Sequence, residues 1–156
     1  MNPEWLIIDG YNLLHQVPDL AERISTDLQA ARHQLIRLIE NTAHRLAPRT
    51  TIVFDGRETG VDDSLTSPHL EVFFSPDNLS ADTVIERLVS RHDQPERILV
   101  ITSDHAEHAT VSSAGAHVMS SQEFLNRCRR DARRGGDKRT PPGQEPTLGD
   151  IFPEGL

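Results

Sequence analysis

One cysteine, Cys128, among 156 residues leaves no partner for an intrachain disulfide and no basis for a centre built from several thiolates. Such sparing use of thiols suits a reducing compartment. No apolar run approaches the ~18 residues that cross a bilayer. The amino terminus carries Glu4 and Asp9 and lacks the basic region, long apolar stretch and cleavage site of a secretion signal. A cytoplasmic protein with no membrane segment is the expectation.

Several catalytic signatures are missing too. Neither GxxxxGKS/T nor GxGxxG occurs, so no nucleotide cofactor is expected. No serine sits in a GxSxG elbow, and no HExxH is present. His105, His108 and His117 fall short of the convergent set that zinc needs.

Charge is unevenly spread. Residues 1–126 hold nine Lys/Arg against nineteen Asp/Glu, whereas residues 127–139 hold seven against two. Arg127, Arg129, Arg130, Arg133 and Arg134 dominate that basic stretch. An acidic body with one basic stripe is an asymmetry suited to a polyanion, although a solvated helix end would look the same.

Three short apolar runs each end in an aspartate: Trp5–Asp9, Thr51–Asp55 and Ile98–Asp104. Near-continuous Val/Ile/Leu runs mark strands buried on both faces of a parallel sheet. Between them lie helical patterns. Thr26 to Gln29 reads as a capping box opening a helix that ends before Pro48. Ser80 caps a helix with Ala81, Val84, Ile85, Leu88 and Val89 on one stripe. A further helix spans about His105 to Ser113, with Gly115 as its stop. Ser120 to Glu123 opens a last helix through Arg134. Residues 55–69 read as a loop, 70–74 as a less regular strand and 116–119 as a short fifth one. Alternating strands and helices predict an α/β fold of right-handed βαβ units around a parallel sheet. The first and fourth strands are then candidates to lie side by side where the winding reverses, the place at which such sheets bind ligands. The expected domain covers residues 1–134, followed by a disordered tail over 135–156 rich in Gly, Pro and polar residues.

Carboxylates delivered to one rim repel unless a cation sits among them, and a hard ion such as Mg2+ prefers oxygen ligands. Asp9 and Asp104 are the leading candidates, and Asp55 repeats their pattern. Asp82, in the first turn of the Ser80-capped helix, adds a fourth carboxylate. Asn12 can orient a phosphate or a water, and Thr102 and Ser103 bring hydroxyls beside Asp104. Each of these, alone, is equally at home as a turn former or helix cap.

Leu6-Ile7-Ile8-Asp9-Gly10-Tyr11-Asn12-Leu13, Ile52-Val53-Phe54-Asp55-Gly56, Ser80-Ala81-Asp82-Thr83-Val84-Ile85 and Val100-Ile101-Thr102-Ser103-Asp104 together resemble the motifs of the NYN domain. More narrowly they resemble its YacP-like branch, the Rae1-type ribosome-associated endoribonucleases. The likeness implies a three-layer α/β/α, PIN-like fold with a mainly parallel sheet and an acidic pocket for Mg2+ or Mn2+. It implies a nuclease cutting RNA, mRNA foremost, with the ribosome as a partner. The family's acidic positions fall on Asp9, Asp82 and Asp104, the metal ligands on this reading, with Asn12 as a supporting catalytic group. Asp55 matches a Phe-Asp-Gly turn, with a less certain share in the metal. Thr102 and Ser103 are expected to position substrate, and the arginines of 127–134 to contact RNA phosphates. The rival is a binding module of the same fold that holds RNA or the ribosome with weak or no turnover. A small-substrate phosphatase of the aspartyl-phosphate type is disfavoured, because Tyr11 occupies the place of the second aspartate in an Asp-x-Asp pair.

Overall fold

In the computed structural model, which describes residues 2–59 and 62–139, five parallel strands form one sheet in the order β3-β2-β1-β4-β5. The strands are β1 (Trp5–Asp9), β2 (Arg49–Phe54), β3 (Glu71–Phe74), β4 (Ile98–Ile101) and β5 (His117–Met119). Central β1 pairs with β2 from Trp5↔Arg49 to Asp9↔Val53, and with β4 from Trp5↔Ile98 to Ile8↔Ile101. The expected neighbouring of the first and fourth strands is therefore present. All of β1 and β4 is buried, as their unbroken apolar runs require.

The helices are α1 (Gly10–His15), α2 (Pro18–Arg23), α3 (Leu28–Leu46), α4 (Gly56–Thr59), α5 (Ala81–Arg91), α6 (His105–Ser113) and α7 (Ser121–Arg139). The alternation of side chains along β1 divides the core between the two faces of the sheet. Leu6 and Ile8 pack with Leu35, Ile39, Phe124 and Leu125 of α3 and α7. Ile7 faces Val84, Ile85 and Val89 of α5 and Val111 of α6. Each such fully buried side chain contributes roughly 1.5–3 kcal/mol. The result is the three-layer α/β/α arrangement. No helix among the described residues is long and apolar enough to cross a membrane.

The structure differs from the sequence expectation in local detail. The N-cap of α3 is Asp27, whose carboxylate accepts from the N–H of Ala30 at 3.1 Å, while Thr26 turns its hydroxyl back to the carbonyl of Arg23. An ionised carboxylate is the stronger acceptor at the positive end of a helix. The segment around Leu13 and Leu14 forms two short helices, and a single turn of helix, α4, interrupts the expected loop over 55–69. Gly115 does end α6, with the positive φ (107°) that favours glycine there. The last helix passes the expected boundary at Arg134 and runs to Arg139. Residues 140–156, the rest of the expected disordered tail, lie outside the described residues.

Candidate active site

The carboxyl end of β1 supplies the first acid. Asp9 is 6% exposed and caps α1, its Oδ1 accepting from the N–H of Asn12 at 3.3 Å. The chain turns sharply here because Gly10 leaves room for the Phe54 ring: a Cβ on Gly10 would sit 2.5 Å from that ring. Asp82 enters from the first turn of α5, whose start is fixed by the Ser80 hydroxyl accepting from the N–H of Thr83 at 3.1 Å.

The third member of the cluster is Glu107, from the first turn of α6. One carboxylate oxygen from each of Asp9, Asp82 and Glu107 lies within 4.8 Å of the other two. Glu107 is 3% exposed, and neither of its oxygens meets a hydrogen-bond donor in good geometry. Burial, and then the negative charge of Asp9, push the Glu107 carboxyl up to about 10. Burial, then the charge of Asp82, push Asp9 up to about 7. Without a cation the cluster therefore keeps protons at neutral pH.

Sequence reasoning missed Glu107. The available signal was its place four residues before Val111, on the one buried stripe of α6. An acid on a core-facing stripe is a stronger pointer than an acid after a strand.

Asp104 does not join the trio. It is the N-cap of α6, its Oδ1 accepting from the N–H groups of Ala106 at 2.9 Å and Glu107 at 3.2 Å. Thr102 is buried, and its hydroxyl oxygen accepts from the N–H of Asp104 at 3.1 Å. The hydroxyl oxygen of Ser103 accepts from the N–H of Ser121 at 3.0 Å. These two hydroxyls, expected to position substrate, therefore brace the rim itself. Asn12 joins in this bracing: its Oδ1 accepts from the Ser103 N–H at 2.9 Å and from the Ser121 hydroxyl at 2.7 Å.

Asp9, Asn12, Asp55, Arg57, Ser80 and Asp82 contribute to the walls of a cleft of about 370 Å3. Asp55 stands in it as the partner of Arg57, whose Nε and Nη2 reach its two oxygens at 3.2 and 3.1 Å. The Arg57 guanidinium holds the Asp55 carboxyl below its usual range. Asp55 is thus neutralised within the protein. The cleft offers buried carboxylates at one point and a guanidinium at another, a pairing suited to a cation and an anion together. Farther along α7, Arg127, Arg130 and Arg134 face α3, whereas Arg129 and Arg133 do not line that surface.

The donor set fits a hard divalent cation. It is all oxygen, and it includes buried carboxylate oxygens that no protein donor satisfies. No histidine belongs to the cluster.

A Bacillus subtilis protein described as "uncharacterized protein YacP" is 30% identical over 122 residues, covering 77% of this chain and 72% of the relative. A crystal structure of Rae1 (YacP) from Bacillus subtilis is 30% identical and superposes with a TM-score of 0.72, covering 84% of this chain and 76% of that one. Its W164L mutant gives a TM-score of 0.71 at 29% identity, covering 87% of this chain and 80% of that one. The YacP-like NYN domain model matches residues 6–146. This chain belongs to the YacP-like NYN domain family.

Proposed function

We propose that the protein is a metal-dependent endoribonuclease that hydrolyses phosphodiester bonds in RNA. The observation that carries the reading is the convergence of Asp9, Asp82 and Glu107 at the end of the central strand, in a chain of this family. A pure RNA binder has no use for buried carboxylates gathered beside the cleft, which disfavours the binding module.

Asp9, Asp82 and Glu107 would hold Mg2+ or Mn2+, which when bound supplies charge neutralisation for a phosphodiester and a more acidic water. Asp9 and Glu107 must shed their retained protons to take the ion. Asp104 acts through Glu107, by fixing the first turn of α6. Asn12 keeps Asp9 and the Ser103 loop in register beside the cleft. Arg57 lies where it can meet a non-bridging phosphate oxygen, with Asp55 orienting its fork. The water oxygen forms a bond to phosphorus as the bond to the leaving 3′ oxygen breaks. That oxygen takes up a proton, leaving a 5′-phosphate and a 3′-hydroxyl.

The resemblance to Rae1-type enzymes supports mRNA as substrate, the ribosome as the place where it is met, and the cytoplasm as the compartment. The test is incubation of the purified protein with RNA, with and without Mn2+ and with and without ribosomes, beside Asp9→Asn. Metal-dependent cutting that Asp9→Asn abolishes is the expected result. Undiminished cutting by Asp9→Asn, or none by the wild type under any of these conditions, would overturn the reading.

A further inference from the structure

The acidic cleft lies at the carboxyl ends of the strands, and a group of arginines gathers toward the opposite end. Helix α7 is tied to the rim at Ser121 and then runs back along the sheet, rising about 20 Å from Ser121 to Arg134 at 1.5 Å per residue. Arg127, Arg130 and Arg134, spaced i, i+3, i+7, converge with Arg45 from the last turn of α3. With Thr42, Leu46 and Asp131 they line a groove of about 430 Å3.

The groove is not balanced from within. Its one acid, Asp131, accepts from the Thr42 hydroxyl at 2.7 Å and lies 3.5 Å from Arg45. Arg127 reaches Glu123 only at 3.9 Å, and its buried Nε has no hydrogen-bond partner. Arg130 and Arg134 have no ion pair among the described residues. Helix dipoles account for Arg45, in the last turn of α3. They do not account for Arg127 or Arg130, which lie well before the end of α7. Four guanidiniums gathered around one carboxylate repel unless an anion joins them. The planar fork of arginine matches phosphate oxygens two at a time.

We propose that this groove is a second RNA-phosphate site. It holds the strand flanking the cleavage point, so that the enzyme favours RNA long enough to span from the cleft to the groove. This rests on the endoribonuclease reading above, and it corrects the simple stripe. Arg127, Arg130 and Arg134 belong to the site with Arg45, whereas Arg129 and Arg133 do not.

The test compares two pairs of exposed arginines on the same helix. In the full chain carrying Asp9→Asn, Arg130→Ala/Arg134→Ala and Arg129→Ala/Arg133→Ala remove equal charge from different faces. Binding of a fluorescent 30-nucleotide unstructured RNA is followed from 50 to 200 mM salt. The groove pair is expected to lose about five- to ten-fold in affinity, and its log–log salt slope should become shallower by about 1.4, two phosphate contacts on a single strand. The outer pair should lose less than about two-fold. With Asp9 intact, cleavage of a tetranucleotide should be unchanged by the groove pair while cleavage of the 30-mer falls. Equal losses from both pairs, an unaltered salt slope, or parallel loss on both substrates would overturn the proposal. So would displacement of the RNA by polyglutamate at equal charge concentration, which would make the groove a site for acidic protein. If no RNA is cut but the groove pair still loses binding selectively, the nuclease reading falls and the phosphate site stands.

Discussion

The carboxylate of Asp104 accepts the backbone N–H of Glu107 at 3.2 Å, so one acid of the rim fixes the helical turn that carries another. Glu107 reaches Asp9 and Asp82, and Asp104 reaches the helix. This division of labour predicts different consequences for removing each.

Glu107→Gln should lower metal-dependent cleavage at least about 100-fold while raising the melting temperature of the metal-free protein. The substitution removes a buried carboxyl group that the metal-free protein must hold protonated, at a cost to stability, at neutral pH. Thermal melts with and without Mn2+, beside a cleavage assay, check both halves. A destabilised metal-free variant would count against the assignment.

Asp104→Ala should cost about 1 kcal/mol, the usual value of a helix N-cap. Activity should fall less than in Glu107→Gln, and Asp104→Ser, which retains a capping oxygen, should recover most of both losses. If Asp104→Ser is as inactive as Asp9→Asn, Asp104 holds the metal directly.

The retained protons set the sign of a pH effect. Asp9 and Glu107 have folded-state affinities for protons above those of the unfolded chain. Their stabilising contribution is complete below the unfolded carboxyl range near 4. For Asp9 it is lost as pH rises to about 7, and for Glu107 over a range reaching about 10. The metal-free protein should therefore melt a few degrees lower at pH 8 than at pH 5.5. Millimolar Mg2+ or Mn2+ should raise the melting point more at pH 8, because fewer protons compete. Asp9→Asn/Glu107→Gln should flatten the profile. A metal-free wild type that is more stable at pH 8, with no such flattening, would contradict this account.

Asn12→Ala should cost about 2 kcal/mol, because it leaves the fully buried Ser121 hydroxyl and the Ser103 N–H without their acceptor. Ser121→Ala removes the other end of one bond, and the double variant should be less destabilised than the sum of the two. Chemical denaturation of the four proteins measures the coupling. Additive losses would show that the two residues act separately.

The strands, the sheet type and the convergence of Asp9 and Asp82 were legible because they rest on local signals. Apolar runs mark doubly buried strands; Asp9 ends one of them, and Asp82 stands in the first turn of a Ser80-capped amphipathic helix. Glu107 was not legible in the same way. On sequence it is an ordinary first-turn acid, and its burial depends on α5 and β1 closing over α6. Asp104 also follows a strand, and its carboxylate caps α6, because an aspartate in that place serves a helix cap as readily as a metal. The basic stretch was visible as charge. Its division between two faces, and the contribution of Arg45 from α3, required the packing of α7 on α3.

Strand β1 is made first and enclosed late. Asp9 reaches its burial only when β2 has closed one side of β1 and β4 the other, and Asn12 is pinned only when Ser121 arrives. These contacts join residues separated in sequence by about 40 to 110 positions, so chain connectivity delays them. The acidic trio consequently depends on contacts drawn from most of the described chain. A chain halted in synthesis before α6 and α7 lacks Glu107 and Ser121, and so has no assembled acidic cluster.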